Sequence, residues 1–560
     1  MNSIYLVLFA FIFFIIGYKI YSKYIEKNIF EIDDDEVAPS HKYDDGIDFV
    51  PTPKHILFGH HFTSIAGAAP IIGPCIAVFW GWLPALIWVV MGTIFMGAVH
   101  DFGALVISLK EKGRSIASIT AKVINTRTRV MFLSFVICLN WLVLAVFSMA
   151  IGKLFILYPS SVLPVNIEIF VAIIIGFLIH KKNLNSFIPS VIALLILYLF
   201  VYLGTIYEIE LTVFGISNTQ NNWIILLFIY SSIASLLPVW LLLQPRDYIN
   251  SHQLIVGLGL IYTSIFIFRP EVTAPAINIA SDSPPMIPFL FVTIACGAIS
   301  GFHGLVSSGT TSKQVKKMSD ARTIGYGAMI GEGSLALATI IASVAGIALV
   351  TNCEVNGVFH EQLAWGDYYD TWEHAAKNKF MAFVLGGGVL LEKLGLSVEI
   401  ARTLISVLII SFAATTLDTA TRIQRMIITE LGSAVKSNPL KNKYIATICA
   451  IIPAYLLTLD GTGWKLWSIF GASNQMLAAL TLMVLSLYFW KKGKNILSLI
   501  IPMIFVMLIA IISLIIKANE FIYSHNYMLL LITLILLGLI VWMIFEGITK
   551  YRNKFKLVKK

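Results

Sequence analysis

Apolar residues along this chain fall into long uninterrupted runs, and the polar residues gather in the short stretches between them. A run must reach roughly 20 residues to cross about 30 Å of hydrocarbon as a helix, where the backbone has no water to bond and must satisfy itself. About fifteen runs qualify by windowed hydropathy. They are 3–22, 57–80, 83–108, 128–157, 165–180, 187–206, 223–244, 254–269, 286–312, 323–350, 401–429, 443–459, 464–489, 496–516 and 527–548. The pattern predicts an all-α polytopic membrane protein.

Basic residues then sort the connections into two sets. Lys110 to Arg129, Lys181-Lys182, Arg246, Lys313 to Arg322, Arg422 to Lys443, Lys491 to Lys494 and Lys550 to Lys560 fall on alternate connections. The remainder, Tyr207 to Asn222, Pro270 to Pro285, Thr351 to Ser397 and Lys517 to Asn526, are poor in Lys and Arg. By the positive-inside bias the first set is cytoplasmic, which places the N-terminus outside and the C-terminus inside a bacterial plasma membrane. That distribution also accounts for the formal charge of +9, from 40 Lys and Arg against 31 Asp and Glu, without a nucleic-acid partner. With 58% hydrophobic and 13% charged residues, the chain carries about half the charge of a soluble domain.

Residues 1–30 read as an uncleaved N-terminal anchor helix, because the run Ser3 to Tyr21 has neither a basic n-region nor a small-residue cleavage site. A polar, acidic linker over 31–56 then separates that anchor from a membrane-embedded core over 57–489; its stretch Glu31 to His55 predicts a flexible tether. Residues 490–560 supply peripheral helices and a basic tail. The outer loop 351–397, with Trp365, Tyr368, Tyr369, Trp372 and the run Gly386-Gly387-Gly388, has the length of a lid, though an external helix of no functional consequence fits as well. The five cysteines show no C-x-x-C spacing and read as small buried hydrophobes.

A solute or ion at the bilayer midplane can be held by backbone only where a helix is broken. Gly67-Ala68-Ala69-Pro70 and Gly73-Pro74 lie in mid-run, and each proline removes a donor and clashes with the preceding turn. A second such stretch, Gly297 to Thr311, contains Ser300, Gly301, Phe302, His303 and Ser307 and runs in the opposite direction by the loop charges. Helix kinks and close helix packing are the plainer readings of these residues. A third stretch, Ser411 to Arg422, offers hydroxyls and a carboxylate, hard oxygen ligands suited to a small cation. Asp418 and Arg422 are four apart, so an ion pair on one helix face is the rival reading. Weaker signals are His60-His61, His100-Asp101, Gln244 to Asp247 and Glu332. Asp101, Glu332 and Asp418 are candidate proton carriers, being carboxyls in a low-dielectric setting. No zinc spacing, nucleophile elbow or P-loop is present to support an enzyme or an ATP-driven pump.

Several blocks in order resemble the carbon starvation protein A (CstA) family: His60 to Gly67, Trp80 to Ala85, Gly97 to Phe102, Leu237 to Trp240 with Gln244 to Tyr248, Ser300 to Gln314, Gly325 to Met329 and Thr415 to Arg425. The resemblance spans about residues 50 to 490. It implies ion-coupled uptake of peptides, or in some members pyruvate, during nutrient limitation. It also implies kinship with the amino acid-polyamine-organocation superfamily and a LeuT-like core of two inverted five-helix repeats, with additional N-terminal, inserted and C-terminal helices. On that model 57–80 resembles the first core helix, 286–312 the sixth and 401–429 the eighth. The two broken runs stand seven places apart in order rather than five, which an inserted hairpin would reconcile. Ala66 to Pro70 and Ser300 to His303, with Ser307, then form the substrate site, where half-helix N-termini favour a carboxylate. Thr415, Thr416 and Asp418, with carbonyls near Ala66 and Ala69, hold sodium; a proton on Asp418 or Glu332 is the alternative. No other cofactor is implied, and the sequence does not indicate an oligomeric state. A membrane nutrient sensor is the rival of another class.

Overall fold

In the computed structural model, residues 1–182, 187–355, 357–377, 379–459 and 466–558 are described. Among them eleven helices are long and apolar enough to cross a membrane, twelve if the bent pair Lys54–Ala66 and Ala69–Trp80 counts as one crossing. The strands Thr351–Val355 and Val358–Gln362 pair as one antiparallel hairpin, so the chain is an all-α polytopic membrane protein. Residues 464–465 of the last core run, and residues 559–560 of the basic tail, lie outside the described residues.

The helices divide by what they face. Leu466–Lys491 and Val398–Ala434 are buried along most of their length. On the periphery, Leu497–Tyr523 presents Ile501, Ile504, Leu508 and Ile512 outward, a surface suited to lipid rather than water.

Four sequence expectations change. The runs 223–244 and 254–269 divide elsewhere, as Gln220–Leu236 and Leu243–Phe268. Pro238 disfavours the helical conformation at the residue before it, and Leu237 is extended (φ −73°, ψ 154°). Pro245 sits in the first turn of the next helix, where its missing N–H costs nothing. Gln244 to Asp247 therefore open a helix instead of closing one.

The anchor is not set apart either. Tyr18 is 3.2 Å from the Thr323 hydroxyl, and Phe30 packs on Phe102 and Phe489.

The segment expected to be a flexible tether is pinned to the core at Gln314, Val315 and Arg422. Asp45 accepts from the amides of Ile47, Asp48 and Phe49, and this folds the segment back on itself. Thr52 N donates to the Gln314 carbonyl (3.0 Å), the Ser40 hydroxyl donates to the Val315 carbonyl (2.6 Å), and Asp48 pairs with Arg422 (3.2 Å).

In the outer loop, the Gly386-Gly387-Gly388 run lies inside a buried helix, Met381–Glu392. A Cβ on Gly386 would stand 2.0 Å from the Ala342 carbonyl oxygen, so the run permits close helix contact and provides no hinge. Ahead of it, Trp372 packs on Phe79 and Trp80, and the Tyr369 hydroxyl donates to the Cys75 carbonyl (2.7 Å). The loop thus lies over the Cys75 to Trp80 end of the first broken helix.

Candidate functional site

Both stretches singled out for their glycines and prolines are broken. The first helix stops at Ala66 and restarts at Ala69, with a bend of 43° between its halves. Gly67 at the break has φ +53° and ψ −155°, a conformation that a side chain would strain. The second stretch is helical over Met286–Thr293 and Gly301–Gly309 and irregular between. The two interruptions meet. A Cβ on Gly73 would lie 2.4 Å from the Thr293 carbonyl oxygen, and one on Gly297 would lie 3.6 Å from Pro70 Cα. At Gly73 only glycine admits the neighbouring backbone, and at Gly297 the two chains are in van der Waals contact, so the main chain beside both breaks occupies one region of the core.

Side chains close the exposed backbone groups unequally. At the second break, Asn474 Oδ1 accepts from the Phe302 amide (2.9 Å) and the Ser300 hydroxyl (3.2 Å), capping the restarted helix. At the first, the Thr416 hydroxyl donates to the Ser64 carbonyl at 3.3 Å and stands beside Gly67.

Two buried polar networks flank this region. One centres on Arg246, whose Nε donates to Glu168 (3.1 Å) and whose Nη1 donates to Asp418 and the Tyr230 hydroxyl (2.7 Å each). Tyr230 also donates to Asp418, Ser411 donates to Glu168, and neighbouring Asp247 binds His60 and the Ser64 hydroxyl. The other is a chain of alternating acids and imidazoles. Asp101 Oδ1 lies 2.7 Å from His100 Nδ1, Asp101 Oδ2 lies 2.9 Å from His303 Nδ1, and His303 Nε2 lies 3.4 Å from Glu332 Oε2. All four side chains are fully buried; His303 Nε2 and Glu332 Oε2 approach without forming a hydrogen bond, and they, Glu332 Oε1 and His100 Nε2 have no hydrogen-bond partner among the described residues.

Of the expected substrate residues, Pro70 lies beside Gly297, three residues ahead of Ser300 to His303, and Ser307 lies on the restarted half-helix with its hydroxyl buried. The expected ion ligands divide between two faces of Val398–Ala434. Thr416 and Thr419 face the first broken helix, with Thr419 3.4 Å from the Ser64 hydroxyl. Thr415 accepts from Asn250 (3.0 Å) and, with Asp418, faces Leu243–Phe268. Residues two apart on a helix cannot share a face, which separates Thr416 from Asp418. Nor does Asp418 pair with Arg422, which instead bonds Asp48 and the Leu237 carbonyl.

Sequence reasoning missed Glu168, Tyr230 and Asn474. Glu168 and Asn474 carried a readable signal, a carboxyl and an amide inside otherwise apolar runs; Tyr230 did not.

Residues 2–513 match the family model for carbon starvation protein CstA. The peptide transporter CstA of Helicobacter pylori is 30% identical over 540 residues, covering 88% of this chain and 78% of its own. The pyruvate/proton symporter BtsT of Escherichia coli is 31% identical over 545 residues, covering 84% and 75%. A manganese transporter of Eremococcus coleocola aligns with a TM-score of 0.44 at 13% identity, over 90% of this chain and 99% of that one, too distant a likeness to inform the site. On the extent of the family match and these full-length relatives, the chain belongs to the carbon starvation protein CstA family.

Proposed function

We propose that this chain is a secondary transporter that imports short peptides across the plasma membrane under carbon limitation, by alternating access around its two broken helices and coupled to protons. The observation that carries the reading is the meeting of the two interruptions in the buried core, where freed backbone groups replace the water around a carried solute. The chain Asp101, His303 and Glu332 supports the coupling. Its carboxyls and imidazole each exist in two protonation states, and each lies within reach of the next. Pyruvate is the second reading, favoured by the symporter relative and by the carboxylate that both solutes carry. Sodium in place of the proton would call on the Thr416 hydroxyl and the carbonyls from Ser64 to Ala69.

The reading includes fifteen crossings. Besides the eleven long helices, these are the two broken helices and the shorter Gln220–Leu236 and Lys443–Leu459. Alternation of the basic connections supports an external N-terminus, and the broken helices then run in opposite directions, as in an inverted repeat with one inserted hairpin.

Vesicles containing the protein test this directly, with labelled dialanine and labelled pyruvate offered under separately imposed proton and sodium gradients. Dialanine accumulation driven by the proton gradient and collapsed by a protonophore is the expected result. Accumulation of neither solute, with no counterflow of either, would mean a sensor rather than a carrier.

A further inference from the structure

Two helices of opposite direction, Thr126–Leu157 and Val398–Ala434, both touch the first broken helix at Gly67. A Cβ on Gly67 would lie 2.7 Å from the Thr416 hydroxyl oxygen and 3.4 Å from the Phe147 ring. Two turns away each helix carries a carboxamide, Asn140 seven residues before Phe147 and Gln424 eight after Thr416. Arg129 and Glu430 pair across the same two helices at 3.9 Å, so both carboxamides lie on one side of the break, about 10–12 Å along. Gln424 Nε2 donates to the Ile137 carbonyl (2.9 Å), which sets Gln424 one turn from Asn140. The restarted half-helix of the second break reaches the same level, since a Cβ on its last residue, Gly309, would lie 3.7 Å from Ile423.

Both carboxamide side chains are fully buried, and Asn140 Oδ1, Asn140 Nδ2 and Gln424 Oε1 have no hydrogen-bond partner among the described residues. Carboxamides that join two membrane helices bond each other or the facing main chain, as Gln424 Nε2 does. The other three groups do neither. An unpaired buried polar group is costly, so the set suits a guest that pairs all of it. With its Nε2 committed to the Ile137 carbonyl, Gln424 presents an acceptor, whereas Asn140 presents both a donor and an acceptor. An acceptor beside a donor matches a peptide group, which carries one N–H and one carbonyl. Pyruvate carries acceptors alone and leaves the Gln424 oxygen unpaired.

We infer that Asn140 and Gln424 form a subsite for a peptide group of the transported solute: Gln424 Oε1 accepts the peptide N–H, Asn140 Nδ2 donates to the peptide carbonyl, and Asn140 Oδ1 accepts from the terminal ammonium beyond it. The inference rests on the transporter reading and adds to it a choice of solute. An extended chain covers about 3.3–3.6 Å per residue, so three residues match the distance from the break to the carboxamides and two fall short. The subsite therefore selects a tripeptide, its carboxylate at the breaks, over a dipeptide and over pyruvate.

The test is equilibrium binding of labelled trialanine to the purified full-length protein, with three unlabelled competitors: trialanine, dialanine, and alanyl-lactyl-alanine, in which an ester oxygen replaces the first peptide N–H. In the unmodified protein, alanyl-lactyl-alanine should displace the label about tenfold less well than trialanine, the loss expected when one buried acceptor is left unpaired. Dialanine should also be about tenfold weaker. Gln424→Met should abolish the difference between trialanine and its ester analogue, because the group that reads the N–H is gone. Asn140→Leu should weaken the two alike, because both carry the carbonyl to which Asn140 donates. Equal displacement by trialanine and alanyl-lactyl-alanine, equal displacement by trialanine and dialanine, no binding of trialanine, or full discrimination in folded Gln424→Met would overturn the subsite. The competitor comparison needs no variant, so it stands even if neither variant folds. Failure of the transporter reading looks different, since unmodified vesicles would then accumulate neither dialanine nor pyruvate under any gradient. If only the subsite is wrong, gradient-driven uptake of dialanine persists and the ester analogue competes as well as trialanine.

Discussion

The network around Arg246 and the chain through His303 are built from similar parts and behave as opposites. Each buries several ionisable groups, and each contains a His–Asp contact, His60 with Asp247 in one and His100 with Asp101 in the other. The first is held by a guanidinium that stays charged at any working pH, forked between Glu168 and Asp418 and joined by Tyr230. It ties four helices together with fixed charge. The second has no permanent cation, and His100 Nε2, His303 Nε2 and both Glu332 carboxyl oxygens lack hydrogen-bond partners among the described residues. A buried polar network is worth its cost either as a fixed tie or as a path along which charge moves, and on the proton coupling we propose the two uses fall on separate sets of helices.

The contrast can be broken most severely at Arg246. Arg246→Met strands Glu168 and Asp418 together, and losing one partner of a buried pair costs about 3–5 kcal/mol. Thermal unfolding followed by size-exclusion chromatography should show a large fall in midpoint, partly recovered when Asp418→Asn is added. A midpoint near wild type for Arg246→Met would remove the distinction between fixed and mobile charge.

A smaller effect is expected at the caps of the two breaks. Asn474→Ala leaves the Phe302 amide without its buried acceptor, at a cost of about 1–3 kcal/mol. Thr416→Val removes one long hydrogen bond at the other break, about 0.5–1.5 kcal/mol. The same unfolding measurement ranks them, and the reverse order would mean that the first break is the more rigidly closed.

The least effect on stability, and the sharpest on coupling, is expected for Glu332→Gln. No ion pair to a permanent cation is lost, so the midpoint should stay close to wild type. Proton-driven accumulation should disappear while counterflow of labelled dialanine continues, because an uncoupled carrier only equilibrates its solute. If Asp418→Asn uncouples transport and Glu332→Gln does not, the two networks exchange roles.

What was legible in the sequence was what neighbouring residues decide. Run length and polarity fixed the all-helical membrane class, because lipid leaves the backbone no other partner. The Gly67 to Pro74 and Gly297 to Thr311 stretches announced both breaks, since missing donors and missing side chains interrupt a helix locally. The prolines at 238 and 245 carried an equally local message about where one helix stops and the next begins, and the hydropathy windows, averaging over about 19 residues, smoothed it away.

Partner choice was not local. Asp418 was recognisable as a buried carboxyl, yet its cation is 172 residues away in sequence, and the nearby Arg422 serves Asp48 instead. The acidic segment Glu31 to His55 had a disordered composition but found bonding groups at Gln314 and Val315. Helices that alone would each pay to bury a charge share that cost only when packed together, so the pairing exists in the tertiary structure and in no single segment.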